Sequence, residues 1–478
     1  MESTRPIRIG VSGKRQILPE ETGKVHEEIR KRIKSLLRHH RTNAFIGYSA
    51  LASGADTIFA QVVVEEFHQP LQVVLPFAVE EYEKDFGEQD LAVFRELLRK
   101  SGPCEMASAI PVDNDTRDAG YFAVGKKIAD ECDEMIIVWD GLRPNGLGGT
   151  AEIVGYLSEK KGVRPVPFIK VKPAKPDHIH EELLHTYYHA NRQAIRSRDW
   201  YKRVWKSAIF LGWMTVFCFS IKMAFHLGES WVRTLTVSEF VFVAIVYILI
   251  FRAKRVNFHG RYLRQRMEAE TCRLLRTFYH AGVEVEISDQ SKEEGPVLAE
   301  IAQKVNRSVA GSKPSKWYTQ YVIKSIIDDQ CAYHNGKIKS IGNRHQVYEQ
   351  INFIIGVAFI INLFIHLVHV LRVGESAEST WLYKVSILLN ILFPATYAAF
   401  EGIIYFNEWA LLRRYSDSAA YSLKEAEGLL PANVEALSNA ECHQQQAKVL
   451  HLISSIMLSD NRNWNLLLED KDNYHMIV

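Results

Sequence analysis

Residues 135–156 read MIIVWDGLRPNGLGGTAEIVGY. The apolar run MIIVW leads into Gly141, Gly146, Gly148 and Gly149, and a helix-like stretch opens at Thr150. A strand that delivers a glycine-rich turn to a helix start is one repeat of an open α/β sheet. Small residues there let backbone N–H groups approach a phosphate, and the helix start favours an anion. The stretch therefore either holds a nucleotide-type ligand or acts on one.

Reading outward, residues 7–171 alternate strand and helix. Strand-like runs fall at 7–11, 44–48, 71–75, 135–139 and 166–171, and helix-like runs at roughly 21–41, 54–67, 80–99, 118–131 and 150–161. Strands spaced by helices predict a Rossmann-like parallel sheet covered on both faces, over residues 1–173. Ligands of such sheets bind beyond the carboxyl ends of the strands. The segments at those ends are GVSGKR (10–15), SALASGAD (49–56), LPFAVEEYEKDF (75–86) and DGLRPNGLGGTAEI (140–153). Lys14 and Arg15 add positive charge at this edge. Other roles stand beside the ligand role. Ser53 and Asp56 have the spacing of a capping box, Asp140-Gly141 that of a turn, and Thr150 that of a helix cap. Phe77 and Tyr121 suit the core as well as a base-stacking position.

The formal net charge of +2 argues against a dedicated nucleic-acid binder. Six scattered cysteines without a C-x-x-C pair signal neither a disulfide framework nor a zinc site. His178, His180, His185 and His189 cluster, but without a matching carboxylate pattern they read as a solvated juxtamembrane helix and no metal is expected. The start, MESTRPIRIG, lacks the apolar core of a signal peptide, so this part is expected to stay in the cytosol.

Four apolar runs follow, at 207–227, 235–251, 351–371 and 383–405. Their lengths approach the roughly 20 residues that cross a bilayer, and close pairing makes them two helical hairpins. Arg196, Arg198, Lys202, Arg203 and Lys206 precede the first span, and Arg252, Lys254, Arg255, Arg261, Arg264 and Arg266 follow the second. Basic flanks belong inside, so both termini and residues 252–350 are expected in the cytosol of a multi-pass inner-membrane protein. The hairpins form an internal repeat. FHGRYLRQRMEAETCRLL after the first faces FNEWALLRRYSDSAAYSL after the second, aligning Phe258 with Phe406, Leu263 with Leu411 and Arg266 with Arg414. This divides the rest of the chain into a first unit (174–290), a linker (291–316), a second unit (317–445) and a C-terminal tail (446–478). Lys222, His226, Glu239 and Glu401 are ionisable residues within the spans. Such groups are functional candidates, although each lies near enough an end to reach headgroups. Asn352, Asn362 and Asn390 suit a lumen or a helix–helix lock.

Together GVSGKR, LASGAD, LPFAVEEYEKDF and WDGLRPNGLGGTAEIV resemble the SLOG superfamily, which includes DprA-type proteins and the LONELY GUY cytokinin-activating enzymes. The resemblance covers about the first third of the chain. The hairpins with their flanking helices resemble SLATT domains, membrane units often joined to nucleotide sensors in bacterial conflict systems. By resemblance, Gly13, Lys14, Arg15, Gly54, Asp56, Gly148, Gly149, Thr150 and Glu152 line the site. Phe77, Tyr121 and Asp140 stand on the same edge. LONELY GUY enzymes carry P-G-G-x-G-T-x-x-E, whose glutamate helps break an N-glycosidic bond. This chain has GLGGTAE, with no proline before the glycines and Glu152 two residues after Thr150. One residue on a helix is a rotation of about 100°, which turns the carboxylate elsewhere.

The resemblance implies a ligand-gated membrane effector of anti-phage defence. A cytosolic SLOG domain would sense a nucleotide-derived second messenger, of cyclic ADP-ribose or cyclic-nucleotide type. Homo-oligomeric hairpins would then form a pore or disrupt the bilayer. A separate TIR-type or cyclase enzyme would supply the messenger, with no cofactor beyond that ligand. The rivals are a membrane-tethered nucleotide N-glycosidase and a nucleotide-regulated channel or transporter.

Overall fold

The computed structural model describes residues 5–102, 104–107, 117–144, 148–225, 227–286, 296–311, 314–373, 380–407 and 409–474. Gly146 and His226 lie outside the described residues. The chain forms two compact units: Met1–His185 with Cys272–Asp328 and Ala426–Ser454, and Thr186–Thr271 with Asp329–Glu425 and Ser455–Val478.

The first unit holds a six-stranded sheet. Its strands are β1 (Ile7–Gly13), β2 (Phe45–Ser49), β3 (Leu71–Leu75), β4 (Glu105–Met106), β5 (Glu134–Trp139) and β6 (Ile169–Lys170). The order is β4-β3-β2-β1-β5-β6, and each neighbouring pair is parallel. Alternate residues of β5 serve opposite faces, as the two-residue repeat of a strand requires. Ile136 and Val138 join one core, and Ile137 and Trp139 the other. Helices α1 (Pro19–His39), α2 (Ala55–Gln61) and α4 (Glu88–Lys100) cover the first face. The other face carries α5 (Arg117–Glu131) and α6 (Thr150–Lys161). In α1, Pro19 opens the first turn, Glu20 and Glu21 meet the positive end of the dipole, and Val25, Ile29, Ile33 and Leu36 form the buried stripe.

From β1 the sheet grows outward to β4, then returns to place β5 on the other side of β1. The loops after β1 and β5 thus diverge at the point where the order reverses, which opens a crevice there. The helix expected at 80–99 is split into α3 (Val79–Tyr82), a tight turn at Glu83–Asp85, and α4 starting after Gly87. The two-residue strand β4 was not expected, because Glu105 and Met106 are exposed and carry no apolar pattern.

The helices described beyond the sheet are α7 (His178–Ala224), α8 (Glu229–Val256), α9 (Phe258–Ala281), α10 (Pro296–Ala310), α11 (Lys316–Val373), α12 (Trp381–Asn407), α13 (Trp409–Gly428) and α14 (Asn439–Tyr474). The linker predicted at 291–316 contains α10, and the tail predicted at 446–478 falls largely within α14. The first unit takes in parts of these helices. Helix α6 is buried from Thr150 to Ser158, because Trp317, Tyr318, Tyr321, Val434 and Cys442 share its core. A Cβ on Gly155 would stand 2.4 Å from the Trp317 carbonyl carbon, so only glycine admits so close a backbone. Lys324 pairs with Glu159 at 2.6 Å, and Arg164 bridges Asp328 (2.9 Å) and Glu427 (3.0 Å).

Four helical segments are long and apolar enough to cross a membrane, in α7, α8, α11 and α12. Their apolar side chains stand outward, Phe240 and Phe364 among them, as a lipid-facing surface requires. Both hairpins have the same build, a long helix containing one span, a second span, then a further helix. Between α8 and α9, Asn257 adopts the left-handed conformation, and its Oδ1 accepts the Gly260 N–H at 2.9 Å.

Candidate functional site

The crevice at the order reversal is a cleft of about 790 Å³, within the roughly 300–1,000 Å³ range of small-molecule sites. Four elements of the sheet domain line it: Ser12–Gln16 after β1, Ala50, Ala52 and Asp56 around the start of α2, Tyr121 with its neighbours on α5, and Gly148–Thr150 at the start of α6. Of the residues singled out in sequence, Gly13, Lys14, Arg15, Asp56, Tyr121, Asp140, Gly148, Gly149 and Thr150 meet here.

The loop after β1 is fixed by its backbone. The Lys14 N–H donates to the Val138 carbonyl at 3.0 Å, and the Lys14 carbonyl accepts the Ala55 N–H at 3.1 Å. Lys14 Nζ then lies 2.8 Å from Asp140, whose other oxygen accepts the Leu142 N–H at 3.1 Å. Asp140 therefore makes the turn and also anchors the Lys14 ammonium at the cleft. The Arg15 guanidinium lies over the Tyr121 ring, 4.4 Å from its centroid. The Tyr121 hydroxyl donates to Asp85 and accepts from Arg117 Nε at 3.2 Å. One face of Tyr121 is thus taken by Arg15. Asp56 is buried, and burial raises its carboxyl from the ordinary 3.8 to about 7, against the Ala50 and Ala52 amides and the nearby Arg15.

Three predicted residues do not line the cleft. Gly54 has φ +84°, and a Cβ there would stand 2.3 Å from the Arg15 carbonyl oxygen, so its task is to let two loops pass. Phe77 is buried in the core, edge-on to Tyr121. Glu152 is buried, and its carboxylate accepts the Gly148 N–H at 2.6 Å. Gly149 caps α6 without a side-chain bond, and Glu152, three residues into the helix, reaches back past the cap to the N–H of Gly148. Burial raises the Glu152 carboxyl, while the Gly148 N–H and the Ser315 hydroxyl oppose the rise.

Sequence reasoning did not find the remaining wall, made by Leu142–Pro144, Pro173–Ile179 and Tyr279. Arg143 lies over the Tyr279 ring at 4.3 Å and donates to Ser308 Oγ at 2.9 Å. The Tyr279 hydroxyl donates to Asp177 at 2.8 Å. Arg143 was visible in the opening stretch, but its partners are more than 130 residues away and no local pattern announces them.

In the spans, Lys222, Glu239, Asn352, Asn362, Asn390 and Glu401 each bond to the other helix of their own hairpin. Lys222 reaches Glu239 at 2.7 Å and Thr236 at 3.1 Å. Asn352 donates to Glu401 at 2.7 Å, and Asn362 donates to Asn390 at 2.7 Å and to the Ser386 carbonyl at 3.0 Å. These bonds lock the hairpins. Trp213 Nε1 donates to Thr396 at 2.9 Å and joins one hairpin to the other.

The chain matches no model of a known protein family and no curated protein.

Proposed function

We propose that the protein is a membrane effector gated by a nucleotide-derived messenger, the reading that the SLOG and SLATT resemblances suggest. The cleft at the sheet's order reversal carries this proposal, because it lies in the same chain as four span-competent helices. Its glycine loop and its cations Lys14 and Arg15 suit phosphate, and its upper-range volume suits a nucleotide. Glu152 is committed to the Gly148 amide, which supports binding rather than N-glycosidic cleavage at this loop. The basic flanks of the first hairpin support a cytosolic side for the sheet domain. The messenger comes from a separate TIR-type or cyclase enzyme, and a homo-oligomer of hairpins breaches the inner membrane of an infected cell. Binding must favour one assembly state over another, because a ligand of equal affinity for both shifts nothing.

Dye leakage from liposomes carrying the full chain tests this, against cyclic nucleotides and cyclic ADP-ribose isomers. A messenger that triggers leakage in wild type but not in Lys14→Ala supports the proposal. Leakage without any ligand points to a constitutive channel, and release of free base abolished by Glu152→Gln points to a hydrolase. Either result overturns it.

A further inference from the structure

Arg143, from the first half of the loop after β5, lines the cleft together with Lys175 and Tyr279, which come from outside the glycine loops. Arg143 is held on two sides, by the Tyr279 ring at 4.3 Å and by Ser308 Oγ at 2.9 Å. Its Nη1 is buried and has no hydrogen-bond partner among the described residues. A buried donor left unmade costs roughly 1–3 kcal/mol, so a clamped guanidinium whose Nη1 donors are unmatched would be stabilised by an added acceptor. Lys175 lines the same wall and is exposed. The nearest acid on this wall, Asp177, already accepts the Tyr279 hydroxyl and the His180 N–H (3.0 Å). Across the cleft, Lys14 is paired with Asp140, while Arg15 rests on Tyr121. Arg143 and Lys175 thus add positive charge to the cavity that Lys14 and Arg15 also line.

We propose that Arg143, clamped by Tyr279 and Ser308, together with Lys175, binds a second anionic group of the same ligand. The cleft then selects a nucleotide that is anionic at two points, such as a diphosphate-bridged or doubly phosphorylated one, over a nucleoside monophosphate. This rests on the nucleotide reading of the cleft given above and names the class within it. It also assigns a role to the wall's position in the chain. Lys175 precedes the start of α7, which contains the first span, and Tyr279 ends α9, which follows the second. A ligand that engages only the glycine loops leaves both helix ends untouched, whereas a two-headed ligand contacts them.

Calorimetric titration of the full-length protein in detergent tests this with AMP, adenosine 3′,5′-bisphosphate and ADP-ribose. At least one of the two-headed compounds should bind wild type tenfold or more tightly than AMP. Arg143→Gln should remove that advantage while changing AMP affinity less than twofold. Lys175→Ala, at an exposed position where folding is not at issue, should reduce the advantage at least threefold. Lys14→Ala should weaken all three ligands alike. Equal binding of all three compounds to wild type, or an unchanged preference in both Arg143→Gln and Lys175→Ala, overturns this inference and leaves the nucleotide reading standing. Binding of none of them overturns both.

Discussion

Burial of Asp56 makes the stability of the sheet domain depend on pH. Its carboxyl is buried at the start of α2, with its proton released near 7 instead of 3.8. The folded state therefore holds the proton more tightly than the unfolded chain. That contribution to stability is complete below about pH 4 and is lost as pH rises through about 7. At about 1.4 kcal/mol per pH unit, the full span is worth about 4 kcal/mol, of which about 2.5 kcal/mol falls between pH 5 and pH 8. Asp56→Asn keeps an acceptor for the Ala50 and Ala52 amides and a donor in place of the acid proton, but it cannot ionise. The assay is denaturant unfolding of both proteins in detergent at pH 5, 6, 7 and 8, followed by a probe in the sheet domain. Other titrating groups contribute to both proteins, so the difference between them isolates Asp56. Relative to the variant, wild type should lose about 2.5 kcal/mol from pH 5 to pH 8. A difference that stays flat, or that favours wild type at pH 8, would refute the burial argument.

Gly148→Ala should destabilise the sheet domain by about 1–3 kcal/mol, because φ there is +85° and a Cβ would stand 2.7 Å from the Asp118 carbonyl oxygen; thermal unfolding reads this, and an unchanged melting temperature contradicts the loop geometry. Trp317→Ala should cost about 3–5 kcal/mol by opening the core between α6 and α11, a loss that the same melts would register. In the first hairpin, Lys222→Met or Glu239→Leu alone leaves a charge without its partner at 2.7 Å, at a cost of roughly 2.5–3.5 kcal/mol. The double variant should recover most of that stability in detergent melts, and additive losses would show that the two charges do not depend on each other. Only Cys104 is exposed among the cysteines, and burial pushes the Cys132 thiol up to about 12; a thiol reagent should therefore modify one group rapidly in the native protein, and Cys104→Ser should abolish that phase.

The parallel sheet and the spans were legible because both are written locally. Apolar runs such as MIIVW repeat between amphipathic helices, and a bilayer imposes a length that needs no tertiary partner to recognise. The glycine loops were legible for the same reason, since a strand, a turn and a helix start are contiguous in the chain. The order β4-β3-β2-β1-β5-β6 is a tertiary outcome, and it decides which of those loops face each other. Side-chain direction was only partly legible. A spacing argument turned Glu152 away from the expected position, but only the folded chain shows it holding the Gly148 amide. Gly54 and Phe77 share the sheet edge in sequence yet serve loop crossing and core packing.

The sequence by itself determined an α/β sheet with glycine-rich loops at one edge and two pairs of span-competent helices, because those depend on periodicity and length. What only tertiary structure decided is how the chain divides and how the cleft is completed. Trp317 and Val434 lie in segments that sequence order assigns to the second hairpin unit, yet they pack on α6. Tyr279 and Ser308 hold Arg143 at the cleft. Contacts between residues more than a hundred positions apart leave no periodic trace, because burial and hydrogen bonding constrain such pairs only after the chain has folded.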